Sequence, residues 1–194
     1  KSQKRKTHGP IKVLMASRLL KDKGVREFCE AARKIQEKYN FKISFSLAGP
    51  IDLESPGYLT EEQIGQMCSS NKVEFLGNIS DLKDILAESH IFILPSYYAE
   101  GIPKVLLEAA ASGCAVITTD HPGCRDAIIP GKTGMLIPPR DISSLINTLV
   151  NMVSDQDLIE LMGDAGRLMA EQKFCVSKII DNHYSLYKTF NKDK

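Results

Sequence analysis

An excess of charge of either sign is missing from this chain: 25 lysines and arginines stand against 24 aspartates and glutamates, for a net charge of +1. Bulk nucleic-acid binding, which shows a basic stripe or a high domain pI, is thereby disfavoured, and no nucleic-acid partner is expected. Long apolar runs are missing too. No stretch approaches the roughly 18 apolar residues of a membrane span, and the basic segment 1–6 has no apolar stretch behind it, so neither insertion nor export is expected. Cys29, Cys68, Cys114, Cys124 and Cys175 are odd in number and form no C-x-x-C pair, which fits a reducing cytosol better than a zinc site or a disulfide framework. No G-x-G-x-x-G follows the first strand-like run, which disfavours a dinucleotide dehydrogenase. Gly131-Lys132-Thr133 resembles the end of a P-loop, but Asp126 stands where the upstream glycine is required. Internal repeats and low-complexity tracts are absent.

What is present fits one substantial core. The chain has 194 residues, 43% hydrophobic and 25% charged. Strand-like runs at 11–16, 42–48, 73–76, 91–94, 115–118 and 135–137 alternate with helical patterns, the mark of an α/β domain. Several runs are continuously apolar, as expected of parallel strands covered on both faces. The spacing predicts one Rossmann-like, doubly wound parallel sheet of about six strands. Helices are expected at 25–38, with Phe28, Ala31, Ala32 and Ile35 on the inner face, at 60–69 behind a Thr60/Gln63 capping box, and at 81–88. Three successive helices at 141–153, 155–170 and 177–190 close the chain. The last carries Ile179, Ile180, Tyr184, Leu186 and Tyr187, more apolar surface than the sheet covers, so part of it is expected to face a partner. Residues 1–10 read as a linker end and 11–190 as the domain; the first residue, a lysine, suggests a fragment of a longer protein.

The most informative feature lies after the fourth strand-like run, Ile91-Phe92-Ile93-Leu94, which ends at Pro95-Ser96. Glu100 and Glu108 bracket Gly101-Ile102-Pro103-Lys104, with a helix expected over 102–112. A bound group there meets a helix N-terminus, whose N–H groups and positive dipole end suit a pyrophosphate, while the carboxylates accept hydrogen bonds from hydroxyls. The plainer alternative makes Glu100 a first-turn dipole partner and Glu108 a solvated helix residue. Val105, Leu106, Leu107 and Ala109 to Ala111 make this helix apolar nearly all round, so it is expected to be buried and its glutamate to need a reason. Ligands of doubly wound sheets bind beyond the carboxyl ends of the strands. There Arg18, a planar fork, and Lys23, a mobile point charge, are placed to converge with Glu100 and Gly101 on one diphosphate.

Glu100 through Glu108 matches the E-x7-E signature of retaining glycosyltransferases of family 4, and other segments resemble that family in order. These are the first loop from Ser17-Arg18 to Lys23-Gly24, Phe75-Leu76-Gly77, Leu94-Pro95-Ser96, Thr119-Asp120-His121-Pro122-Gly123, Gly131-Lys132-Thr133-Gly134 and Pro138-Pro139-Arg140-Asp141. The resemblance covers residues 11–187. It implies the C-terminal, donor-binding half of a GT-B fold, with an N-terminal acceptor domain absent here and no activity expected of this chain alone. The full enzyme is implied to be a hexosyltransferase moving a sugar from a nucleotide-diphosphate donor, with UDP as the expected nucleotide, to a glycan or lipid-linked acceptor of capsule or lipopolysaccharide type. It is implied to work in the cytoplasm at the inner face of a membrane, associated peripherally.

By the same resemblance, Arg18 and Lys23 hold the diphosphate, Glu100 accepts from donor-sugar hydroxyls beside the N–H groups of Gly101 and Ile102, and Glu108 accepts from the ribose. The nucleobase is placed near Gly77 and Asn78. Fixed cations and backbone N–H groups stabilise a departing diphosphate directly, so no cofactor and no metal is expected. Pro103 departs from the glycine often found there and removes one donor. Asp155-Gln156-Asp157 spells the D-x-D metal motif of another glycosyltransferase fold, but it opens a helix and reads as a cap. Asp120, His121 and Gly123 form a polar loop that reads as a turn around Pro122-Gly123, with lining of the cleft as the alternative; residues 50–57 read as a plain loop and His90 as structural. A non-catalytic nucleotide-sugar module and a GT-B-fold sugar-nucleotide epimerase are the alternatives.

Overall fold

In a computed structural model, which describes residues 9–190, six strands form a single all-parallel sheet: β1 (Ile11–Ala16), β2 (Ile43–Ala48), β3 (Glu74–Phe75), β4 (Ile91–Leu94), β5 (Ala115–Thr119) and β6 (Gly134–Ile137). Their order is β3-β2-β1-β4-β5-β6, so the winding reverses between β1 and β4 and opens a crevice at that switch point. The expected linker end, 1–10, lies almost wholly outside the described residues.

The helices are α1 (Val25–Lys38), α2 (Glu61–Ser70), α3 (Lys83–Glu88), α4 (Lys104–Ala111), α5 (Ile142–Ser154), α6 (Gln156–Lys173) and α7 (Val176–Phe190). β4 and β5 are buried along their whole length, as expected of central parallel strands. α1 packs Val25, Phe28, Cys29, Ala31, Ala32 and Ile35 inward, and Phe28 meets Phe45 of β2 edge to face at 5.9 Å. Val25, Phe28 and Ile35 each contribute about 1.5–3 kcal/mol by burial, the alanines less. Thr60 and Gln63 make both bonds of the capping box, and Asp155 caps α6 by accepting from the N–H of Leu158 at 3.1 Å.

Three expectations need correction. β3 is two residues long, not four: Val73 donates back to Cys68 at the end of α2, and Gly77 turns the chain at φ +73. α4 begins at Lys104, not Ile102, because the residue before a proline is pushed out of the helical region and Pro103 is itself extended at ψ 119. Nor is α4 buried all round. Leu106, Ala109 and Ala110 are buried against the sheet and α6, whereas Lys104 and Ala111 are exposed and Glu108 is partly so.

On α7, Ile180, Tyr184 and Tyr187 are exposed, as the sequence suggested; the side chains of Ile179 and Leu186 lie outside the described residues. Among the described residues no helix is long and apolar enough to cross a membrane.

Candidate functional site

The crevice is built from loops tied to one another by backbone bonds. After β1 the chain turns through Lys21–Lys23 and enters α1 at Gly24, whose φ of +81 favours glycine. A side chain at Gly24 would collide with the backbone and ring of Pro95 at the end of β4, so the two loops touch across the switch point. From the other side, Tyr97 donates its N–H to the Asp22 carbonyl at 2.9 Å and its hydroxyl to the Lys21 carbonyl at 3.1 Å. Burial first, then Glu27 and Asp22, pushes the Tyr97 phenol up, so it remains a donor at neutral pH. Buried Thr118 and Thr119 donate to the carbonyls of Leu94 and Ser96 and fix the strand end from the β5 side. Gly123 packs directly on the carbonyls of Glu100 and Gly101, while Asp120 pairs with Arg125, so this loop is a turn that braces its neighbour.

Lys23 and Glu100 are brought into direct contact. The Lys23 side chain is only 6% exposed, and its Nζ donates to Oε1 of Glu100, itself 27% exposed. An ammonium so little exposed requires such a partner. Arg18 lies nearby but faces another carboxylate: its Nη1 donates to Asp52 at 3.0 Å and to the Ser55 hydroxyl at 3.1 Å. Asp52, then Tyr98, holds the guanidinium above its ordinary pKa; Ser55, then Arg18, holds the Asp52 carboxyl below its own. The 50–57 segment, read as a plain loop, thus supplies the partners of Arg18. Its Asp-x-x-Ser turn, in which Ser55 also donates to Asp52 at 2.6 Å, was the available signal.

Gly101 and Ile102 are exposed loop residues ahead of α4, beside Glu100. Glu108 sits in the second turn of α4 and pairs with Lys104 at 3.0 Å; their side chains are 39% and 89% exposed, a surface i,i+4 pair. Its case as a ligand residue thus rests on position and not on burial. Gly77 and Asn78 lie at the carboxyl end of β3, two strand spacings from β1, or about 10 Å. Gly77 is tied to β2 by accepting from the N–H of Gly49 at 2.8 Å. His90 stands at the other end of β4, where Nδ1 accepts from the N–H of Lys12 at 3.0 Å, a structural role.

α1 and α4, the two helices that start at the switch point, have no side-chain cap, and neither has α3; α2, α5 and α6 are capped by Thr60, Asp141 and Asp155. Two cations, each paired with a carboxylate, and two uncapped helix N-termini thus lie around the switch point, the kind of groups that an anion site is built from.

Residues 1–169 match the family described as glycosyl transferases group 1. The chain is 28% identical over 177 residues to the capsular polysaccharide biosynthesis glycosyltransferase CapM of Staphylococcus aureus, covering 91% of this chain and 45% of that protein. It is 36% identical over 146 residues to the N,N'-diacetylbacillosaminyl-diphospho-undecaprenol alpha-1,3-N-acetylgalactosaminyltransferase of Campylobacter jejuni, covering 75% and 36%. The fold superposes on Anabaena Alr3699/HepE, solved in complex with UDP, with a TM-score of 0.81, 22% identity and coverage of 93% of this chain and 49% of that one. The chain thus spans half or less of the length of these proteins.

Proposed function

The chain belongs to the glycosyl transferases group 1 family, and on that premise we propose that it binds the nucleotide sugar of a retaining GT-B hexosyltransferase, with UDP as the nucleotide. The observation that carries this reading is the convergence of Arg18, Lys23 and the uncapped starts of α1 and α4 at the β1/β4 switch point.

A nucleoside diphosphate laid along the strand ends puts its base at the Gly77–Asn78 edge, its ribose by Glu108 and its phosphates between Arg18 and Lys23. Glu100, with the N–H groups of Gly101 and Ile102, then receives the sugar hydroxyls. Charge developing on the departing diphosphate falls on two fixed cations and the backbone N–H groups, which need no reorganisation at the moment of transfer and call on no metal. UDP bound to a protein of the same fold, and a relative named for a lipid-linked acceptor, support UDP and a glycan or lipid-linked acceptor respectively.

The acceptor belongs on a second, N-terminal domain, so the present chain binds donor without transferring it, and the whole enzyme works in the cytoplasm, peripherally at the membrane. The test is to join this chain to its upstream sequence and follow a UDP-sugar with and without a lipid-linked acceptor by NMR. Transfer with the anomeric configuration kept supports the reading. Inversion contradicts the retaining assignment. Conversion of the sugar nucleotide without acceptor indicates an epimerase, and donor binding with no turnover a non-catalytic module.

A further inference from the structure

We infer that Tyr98 is a positioning residue of the diphosphate site, its ring being the shared contact that holds both Arg18 and Lys23 in place. This rests on the donor-site reading above. The ring centroid lies 4.5 Å from Nζ of Lys23 and 5.6 Å from Cζ of Arg18, both within reach of the negative ring face. Two cations on one ring repel each other. Each has its own carboxylate, Glu100 for Lys23 and Asp52 for Arg18, but these come from separate loops, whereas the Tyr98 ring touches both cations.

The ring is itself fixed. Tyr98 donates its N–H to the Ser96 hydroxyl at 3.2 Å, and Ser96, fully buried, donates to the Asp22 carbonyl at 3.4 Å, in the same turn that carries Lys23. The placement of Tyr98 is thus tied to that of its cationic partner.

The chemistry separates the ring from the carboxylates. An incoming diphosphate competes with Asp52 and Glu100 for the same guanidinium and ammonium, because all are anions. A neutral ring does not compete. As phosphate oxygens replace the carboxylates, the ring keeps the two cations in register, so they do not have to be reordered when the donor binds.

The test compares this 194-residue chain with Tyr98→Phe, which keeps the ring, and Tyr98→Leu, which keeps apolar bulk without a π face, by calorimetric titration with UDP and UMP. Tyr98→Phe, which loses the hydroxyl contact to Arg18 but keeps the ring that both cations share, is expected to bind UDP within about twofold of the parent. Tyr98→Leu is expected to bind UDP about tenfold more weakly and UMP less than threefold more weakly, with an unchanged unfolding midpoint. A structural defect would weaken both ligands alike and lower the midpoint; that result, unchanged UDP affinity in Tyr98→Leu, or a loss in Tyr98→Phe equal to that in Tyr98→Leu overturns the inference. Tyr98→Gln repeats the comparison should Tyr98→Leu not fold. A parent chain that binds neither ligand overturns the donor-site reading, and this inference with it.

Discussion

Lys23 donates to Glu100 across 77 positions of sequence, so the buried cation of the β1 loop and the carboxylate of the β4 loop neutralise each other at the switch point of the sheet. Removing one partner leaves the other partly desolvated and unpaired. Lys23→Met is expected to lower stability by about 1–3 kcal/mol, and Glu100→Gln in the Lys23→Met background to restore most of it. Urea denaturation of both single variants and the double variant reads this coupling. Strictly additive losses would show that the pair is not coupled in solution.

The two glutamates should separate by ligand. With Glu108 on the ribose and Glu100 on the sugar, Glu108→Ala should weaken UDP and a UDP-sugar alike, and Glu100→Ala the UDP-sugar selectively. Losing one charge-assisted bond corresponds to roughly ten- to hundredfold in affinity. Equal effects of both substitutions on both ligands would remove the assignment.

Arg18→Ala should reduce UDP affinity by roughly tenfold or more and spare uridine, since only the phosphates lose a partner. The carboxylate opposite Arg18 gives an independent reading. Ser55 and Arg18 both depress the Asp52 carboxyl, so Ser55→Ala and Arg18→Gln should each raise the Asp52 pKa, followed by NMR. Because the folded value lies below the unfolded one, the stability Asp52 contributes is present above the unfolded carboxyl range of about 3.9. It is lost as pH falls through the depressed folded value. An unchanged Asp52 pKa in either variant would show that its contact is not made in solution.

Gly24 and Gly57 have nearly the same φ, +81 and +77, but different surroundings. A methyl group at Gly57 meets open space, whereas one at Gly24 meets Pro95. Gly57→Ala is expected to cost about 1 kcal/mol from conformation alone, and Gly24→Ala about 2 kcal/mol or more, with weakened UDP binding as the β1 and β4 loops are forced apart. Equal losses in denaturation would mean that the two loops are not locked together.

The apolar runs of β1 and β4 and the helical period of α1 are legible because burial on both faces leaves continuous hydrophobic stretches and packing on one leaves a 3.6-residue period. β3 was less so: an edge strand of two residues needs little apolar sequence. Glu100, Arg18 and Lys23 stand out as charged residues just past strand ends. What sequence order did not show is who faces whom: that Lys23 meets Glu100, Arg18 meets Asp52 and Ser55, and Tyr98 meets both cations depends on loop conformation across the crevice. The burial of α4 was misjudged because a small helix rich in alanine reads as buried all round, although the side that carries Glu108 faces outward.

The most direct measurement is calorimetric titration of this chain with UDP, GDP and ADP, first without metal and then with magnesium. A metal-independent preference for UDP is predicted, carried by Arg18, Lys23 and the starts of α1 and α4. Binding of none of the three, or binding that appears only with magnesium, would contradict it.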